Sequence, residues 1–259
     1  MRTNRSINNL RQDIRHFLTQ LKFSTLQQEL EKQYDQPNME TLSFERRLAD
    51  ALRNVCEKRS ELNYEKVMDQ AYVSPDVRQA DFENFWSTQA RKPFSSLIEQ
   101  LQTCEWLIKE KPANLVIVGP SGAGKSWLAS AFSRQACRLN LRVRFVGNTK
   151  QFLDELNTHK SEGSSSRYLS KLIKAQLLVL DDFLLDDLTN QECHWLHQII
   201  QQRYQKRATI ILSQKPMPTW KQLLPTRANA DAIMDRLVHY RYSLQLQEEK
   251  SCRPFLDDS

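Results

Sequence analysis

Leu115-Val116-Ile117-Val118-Gly119-Pro120-Ser121-Gly122-Ala123-Gly124-Lys125-Ser126 is the stretch on which the fold turns. Its first four residues form a short apolar run, as expected of a strand buried on both faces. The rest fits G-x-x-x-x-G-K-[ST] and opens a helical pattern, so strand, loop and helix come in the order that a phosphate-binding loop requires. Glycines let successive N–H groups turn inward as an anion nest. The helix that follows aims its positive end at the same point. Lys125 adds a mobile cation for β and γ phosphates, and Ser126 a hydroxyl suited to Mg²⁺, which takes oxygen ligands. Gly119, Pro120, Ser121, Gly122, Ala123, Gly124, Lys125 and Ser126, with Trp127 next in line, are therefore the candidate nucleotide contacts.

Composition supports this reading over a plain glycine turn. The chain has only five glycines in 259 residues, where average usage of about 7% would give roughly 18. Three of the five stand within Gly119–Gly124, so backbone freedom is concentrated there. A second apolar run, Leu177-Leu178-Val179-Leu180, ends in Asp181-Asp182. Ligands gather at the carboxyl edge of parallel sheets. Asp181 is expected to hold Mg²⁺, mainly through water, and Asp182 to orient or deprotonate an attacking water. The plain alternative is a solvated acid pair closing a strand.

Further apolar runs lie at 143–146, 209–212 and 242–246, separated by helical patterns. Alternating strands and helices predict βαβ units and an α/β parallel sheet flanked by helices. The N-terminal part is different. Ile7, Leu10, Ile14, Leu18 and Leu21 recur at helical spacing, with Arg2, Arg5, Arg11 and Arg15 opposite. A shorter helix follows with Leu26 and Leu30. Ser43 can cap a third helix through Phe44, Leu48, Leu52 and Val55, and 60–80 reads as helical. The organisation expected is an all-α domain over 1–80 and a nucleotide domain over 81–259, joined near 75–90. Residues 96–109 also read as one helix.

The bulk properties exclude several classes. Apolar residues at 40% and charged residues at 26% are those of a globular protein, and no apolar run reaches 18 residues, so no membrane span is expected. The N-terminus shows no export signal, which predicts a cytoplasmic location. Net charge is +6, which permits a polyanionic partner. Cys56, Cys104, Cys137, Cys193 and Cys252 are scattered without C-x-x-C, and read as reduced thiols.

The order of loop, paired acids and then Thr209-Ile210-Ile211-Leu212-Ser213-Gln214 narrows the class. An L-S-G-G-Q transporter signature is absent, and small-molecule kinases usually open on the loop. From about Leu18 to Glu249 the chain resembles the IstB-like branch of the AAA+ ATPases, relatives of the DnaC helicase loader. The resemblance is carried by Leu42–Leu48, the loop, Arg142–Phe145, Leu178–Phe183, Leu212–Pro216 and above all Ala230-Asp231-Ala232-Ile233-Met234-Asp235-Arg236-Leu237-Val238-His239. It implies a P-loop AAA+ sheet lacking the C-terminal lid. It makes Ser213 the sensor-1 residue and Arg236 an arginine finger offered to a neighbouring subunit; a surface ion pair with Asp235 or Asp231 is the plain alternative for Arg236. It also implies ATP and Mg²⁺ as cofactors, double-stranded DNA and the transposase of an insertion sequence as partners, and a bacterial homo-oligomer in the ATP state. A DnaC-type loader of a replicative helicase is the rival reading. Leu184, where the family usually has glycine, is the main departure, and Lys215 and Ser126 are milder ones.

Two basic segments are candidates for nucleic acid. Lys150, Lys160, Arg167, Lys171 and Lys174 precede the paired acids; the resemblance places DNA contacts there, and an ordinary solvated face is the alternative. The N-terminal arginines are the second, for DNA or an acidic partner. Trp127 and Trp195 sit in helical patterns and read as core. Phe82 and Phe85 are candidates to pack an adenine. His194 and His197, one helical turn apart, lack a third metal ligand and read as structural.

Overall fold

The computed structural model describes residues 7–37, 41–71, 73–75, 77–85, 95–161, 163 and 165–247. Arg2, Arg5 and Cys252 lie outside these. The chain divides into two compact units, Met1–Asn63 and Tyr64–Ser259.

The first unit holds α1 (Ile7–Gln20), α2 (Ser24–Tyr34) and most of α3 (Phe44–Ala71). Glu29 is its buried polar centre. It accepts from Lys58 at 2.5 Å and from Asn54 and Lys32 at 3.0 Å. Those bonds, Lys58 first, hold its carboxyl down at about 2 against the opposing effect of burial. Arg15 and Glu31 join α1 to α2 at 2.7 Å. Ser43 Oγ accepts from the Arg46 N–H at 3.3 Å, so the expected cap forms. The helix it starts is longer than expected. Two helical patterns were anticipated around residue 60, but α3 runs unbroken for 28 residues. Nothing between Phe44 and Ala71 is glycine or proline, and Glu57-Lys58-Arg59 favours helix at the supposed gap.

In the second unit, α4 (Phe82–Phe85) and α5 (Ser95–Leu101) precede the sheet. The helix expected over 96–109 breaks at Cys104, whose φ is +59°. The reason is burial. Trp106 and Leu107 turn into the core in a 3-10 turn, and the Trp106 indole N–H donates to the Leu101 carbonyl at 3.0 Å, satisfying an end of α5.

The strands and helices then alternate: β1 (Asn114–Val118), α6 (Lys125–Arg138), β2 (Val143–Val146), α7 (Thr149–Ser161), α8 (Ser165–Lys174), β3 (Leu177–Leu180), α9 (Asn190–Arg203), β4 (Ala208–Ser213), α10 (Met217–Trp220), α11 (Arg227–Val238) and β5 (Arg241–Gln245). All pairings are parallel, in the order β2-β3-β4-β1-β5. Period-two alternation divides the core. Leu115, Ile117, Val179, Ile210 and Leu212 face the layer that includes Leu128 and Phe132 of α6. Val116, Val118, Leu178, Leu180 and Ile211 face the layer of α7, α8, α9 and α11. The five apolar runs are thus the five strands. β4, lying between β1 and β3, brings Ser213 to the same edge as the loop after β1 and the acids after β3.

Buried Arg203 closes one end of this second layer. Its guanidinium donates to Leu172 O at 2.6 Å, Ala175 O at 2.8 Å and Thr209 Oγ1 at 3.1 Å, and also to Ala208 O. It therefore satisfies carbonyls at the end of α8 and fastens them to β4.

Candidate nucleotide site

The loop is built by close approach. The Gly119 N–H donates to Ser213 O at 3.2 Å. A Cβ on Gly119 would stand 2.7 Å from the Leu246 carbonyl oxygen, so no side chain fits. Gly122 and Gly124 have φ of +82° and +84°, the region that glycine enters without cost. Gly124 ends the loop and α6 begins at Lys125, so the open N–H groups of the helix lie at the loop. The Lys125 ammonium donates to Gly119 O at 2.9 Å and Pro120 O at 2.8 Å, bridging the loop it would serve.

Asp181 meets the loop directly. Ser126 Oγ donates to Asp181 Oδ2 at 2.6 Å, and the Asp182 N–H donates to Oδ1 at 2.8 Å. Burial pushes the Asp181 carboxyl above its ordinary value, with Asp182 adding to the rise, while Ser126, the Asp182 N–H and Lys125 pull it down. Two hard oxygens sharing one position beside an anion nest, one of them on a carboxyl whose negative charge burial disfavours, fit Mg²⁺. Ser126 and Asp181 are the residues that could hold it.

The strand ends are stitched together behind these groups. Ser213 is fully buried, and its hydroxyl donates to Phe183 O at 2.8 Å and accepts from the Lys215 N–H at 3.1 Å. The Phe183 N–H donates to Leu212 O at 2.9 Å. Asp182 adopts φ of +47° and lies 3.5 Å from the Gln214 amide. Leu184 has φ of +54° although it is leucine, and it is 1% exposed. The turn that a glycine would make without strain therefore forms here with a side chain, which is buried among apolar neighbours. Thr149, which the pattern reading passed over, donates to the Asp181 carbonyl from its N–H at 3.1 Å and from Oγ1 at 2.6 Å. Its signal was faint: a polar pair, Asn148-Thr149, opening a helix.

Arg236 lies apart from these contacts. Its Nη1 donates to Ala232 O at 2.8 Å, its guanidinium lies 5.8 Å from the Tyr204 ring centroid, and its buried Nε has no hydrogen-bond partner. Among the described residues it makes no ion pair with Asp231 or Asp235; Asp231 pairs with Lys221. Asn114 of β1 donates to the Arg236 and Leu237 carbonyls at 3.1 and 3.3 Å, tying the end of α11 to the central sheet.

Trp127 is half-buried against the α6 core and donates to Asp81 O at 3.3 Å. Phe82 meets Phe132 edge-on at 4.9 Å, and Phe85 is fully buried. The five cations of the basic segment separate. Lys150 bonds both oxygens of buried Glu192 at 2.7 and 2.6 Å, and Lys160 stands 5.8 Å over the Trp195 ring. Arg167, Lys171 and Lys174 gather around one cavity with Arg142 and Arg144. Burial lowers the His197 imidazole, helped by Arg236 and His194.

The family model for IstB-like ATP binding proteins matches residues 16–254. The chain belongs to that family. Among its relatives, a Sinorhizobium fredii protein described as an insertion sequence ATP-binding protein is 36% identical over 158 residues, covering 61% of this chain and 62% of the relative. A second from the same organism is 41% identical over 136 residues, covering 52% and 55%. The chain thus spans a little over half of these two relatives. The ATP-binding protein of insertion sequence IS1162 from Pseudomonas fluorescens is 32% identical, with 78% and 85% covered. Solved structures share the fold of this IstB-like chain. The DnaC helicase loader has a TM-score of 0.54 at 20% identity, covering 67% of this chain and 99% of that one. DnaI has 0.59 at 18%, covering 68% and 95%. DnaA from Aquifex aeolicus bound to AMPPCP has 0.56 at 16%, covering 70% and 53%. The sheet is that of an AAA+ P-loop domain. No helix among the described residues is long and apolar enough to cross a membrane.

Proposed function

We propose that the protein is a Mg²⁺-dependent, DNA-stimulated ATPase that multimerises on duplex DNA with ATP bound and helps a transposase reach its target, with hydrolysis to ADP and phosphate as the release switch. The observation that carries the ATP site is the 2.6 Å bond between Ser126 and Asp181 beneath a glycine-built loop. The loop amides and Lys125 bind the triphosphate, and Ser126 and Asp181 hold the metal. Mg²⁺ supplies charge neutralisation on the phosphates when bound. Asp182, with Gln214 beside it, positions and deprotonates water, and Ser213 keeps the acid turn in register with β4. In this reading Arg236 serves the nucleotide of a neighbouring copy. Its Nε is buried without a partner, it joins no ion pair among the described residues, and its helix is anchored to β1. A trans-acting arginine typically contributes 10³–10⁵ in rate, which makes turnover conditional on assembly. Membership of an insertion-sequence family supports the transposase as client. The helical region 1–80 is assigned to partner or DNA contact and 81–259 to ATP, and the protein works in the bacterial cytoplasm.

The test is ATP turnover with and without duplex DNA, using Lys125→Ala and Arg236→Ala. Lys125→Ala should lose nucleotide binding. Arg236→Ala should bind ATP but turn it over about 10³-fold more slowly. Mixing the two variants should restore part of the activity, because one supplies an intact loop and the other an intact arginine. No recovery on mixing, together with normal turnover by Arg236→Ala alone, would refute the trans arrangement.

A further inference from the structure

Two cavities adjoin at the β2 edge of the sheet, away from the glycine loop. The first, about 370 Å³, is lined by Arg142, Arg144, Arg167, Lys171 and Lys174, with no carboxylate among the described residues of its walls. Among the described residues Arg142, Arg167, Lys171 and Lys174 enter no ion pair. No ion pair among the described residues offsets these charges, and they converge on one concavity, which concentrates an attractive field for anions. The second cavity, about 400 Å³, shares Arg144 and Lys171 with the first. Its walls include Phe145, Phe152 and Tyr168, with Asn148, Gln151 and Glu155 supplying polar groups. The Phe152 and Tyr168 rings stand 5.7 Å apart at 36°.

We propose that the paired cavities form a second nucleotide site, with a base against the Phe152–Tyr168 wall and adjacent phosphates among the five cations. Each cavity has the volume of a small-ligand site. Arginines grip phosphate oxygens in a fork, and aromatic rings accept the face of any base. Glu155 sets the direction, because a carboxylate repels phosphate and, with the Asn148 and Gln151 amides, suits the hydrogen-bonding edge of a base. The site has a route to the loop. The Gly147-Asn148 turn that borders it runs into Thr149, whose N–H and hydroxyl hold the Asp181 carbonyl. The ligand chemistry is a free nucleotide, a nucleoside bearing adjacent phosphates; a strand on the same cations would be the DNA contact that the family resemblance already implies. The inference rests on the ATP reading of the loop only in counting this site as the second.

The experiment uses the full chain in equilibrium dialysis with ATP and with single-stranded oligo-dT, for wild type, Lys125→Ala, Arg167→Glu/Lys171→Glu and Tyr168→Leu. If free nucleotide is the ligand, Lys125→Ala retains one equivalent of ATP, and the charge reversal removes it. If instead only one ATP binds and it depends on Lys125, while the charge reversal weakens oligo-dT about ten-fold, the cavities hold a strand and not a free nucleotide, which overturns the proposal. ATP binding that survives Lys125→Ala but is lost entirely in the charge reversal would sink the loop reading and leave this site standing. Unchanged ATP stoichiometry and oligo-dT affinity in the charge reversal would overturn the proposal. Loss on charge reversal with Tyr168→Leu silent would also overturn it, since a bare basic surface behaves that way. Arg142→Glu, on another wall of the cavity, replaces the double variant if that one does not melt as wild type does.

Discussion

Leu184 offers a test in which an ordinary rule should reverse. In most positions alanine is more stable than glycine by about 0.5–1 kcal/mol, because glycine loses more backbone freedom on folding. Leu184 has φ of +54° and is 1% exposed. Replacing a leucine so buried by alanine costs about 3–5 kcal/mol in lost transfer energy and residual cavity. Alanine keeps a Cβ, so it keeps the left-handed strain of about 1–2 kcal/mol. Glycine loses the same packing but releases that strain, and the release exceeds its entropic cost by about 0.5–1 kcal/mol. Leu184→Gly should therefore be destabilised by about 2–4 kcal/mol, and Leu184→Ala by more. Urea unfolding followed by tryptophan fluorescence reads the difference. With m of about 3 kcal/mol/M, a 1 kcal/mol gap separates the two midpoints by about 0.3 M. Leu184→Gly should also keep nucleotide binding, since the turn carrying Asp181 and Asp182 keeps its shape. A midpoint for Leu184→Ala equal to or above that of Leu184→Gly would refute the reasoning: the positive φ would then not constrain that residue.

Two further outcomes concern the site and a third the buried Arg203. Burial raises the Asp181 carboxyl in the folded chain, so the folded state holds its proton more tightly than the unfolded state, and stability from this group declines as pH rises through the folded value. Asp181→Asn should raise the melting temperature of the nucleotide-free protein near pH 8 and flatten its fall with pH, while ending Mg²⁺-dependent turnover; a lower melting temperature at pH 8 contradicts this. Gly119→Ala places a Cβ against the Leu246 carbonyl oxygen and should cost about 1–3 kcal/mol by overpacking, measurable by thermal unfolding. Arg203→Met removes the donor shared by Leu172, Ala175 and Ala208 carbonyls and should cost about 3–5 kcal/mol, since buried acceptors lose their partner; a neutral result in urea would mean that water or a backbone shift replaces the guanidinium.

Much of the nucleotide site is legible in the chain because its determinants are local. Gly119, Gly122 and Gly124 are spaced by the loop they build, and Lys125 and Ser126 sit where the next helix must start. The runs in β1, β3 and β4 mark their strands because a strand covered on both faces is built almost wholly of apolar residues, whereas β5, last in the sheet, buries Leu244 alone within Arg241–Gln245 and keeps polar residues. The two misjudged segments differ in cause. The break at Cys104 depends on Trp106 finding its place in the core, whereas the continuity of α3 through residue 60 was written locally, in the lack of any breaker. Lys150 and Lys171 look alike in a string of letters. Folding gives one to Glu192 and the other to a cationic cavity.

The amino-acid order alone determined that this protein has a phosphate loop on a parallel α/β sheet and two acids at the end of another strand, because those features are written in residues close together along the chain. Only the tertiary structure decided that Ser126 and Asp181, 55 positions apart, share a hydrogen bond, that Thr149 and Ser213 hold the acid turn from either side, and that Leu184 carries a backbone shape better suited to glycine. The reason is physical: strand order and crossover packing bring those groups together, and the residues concerned carry the groups but not their pairing.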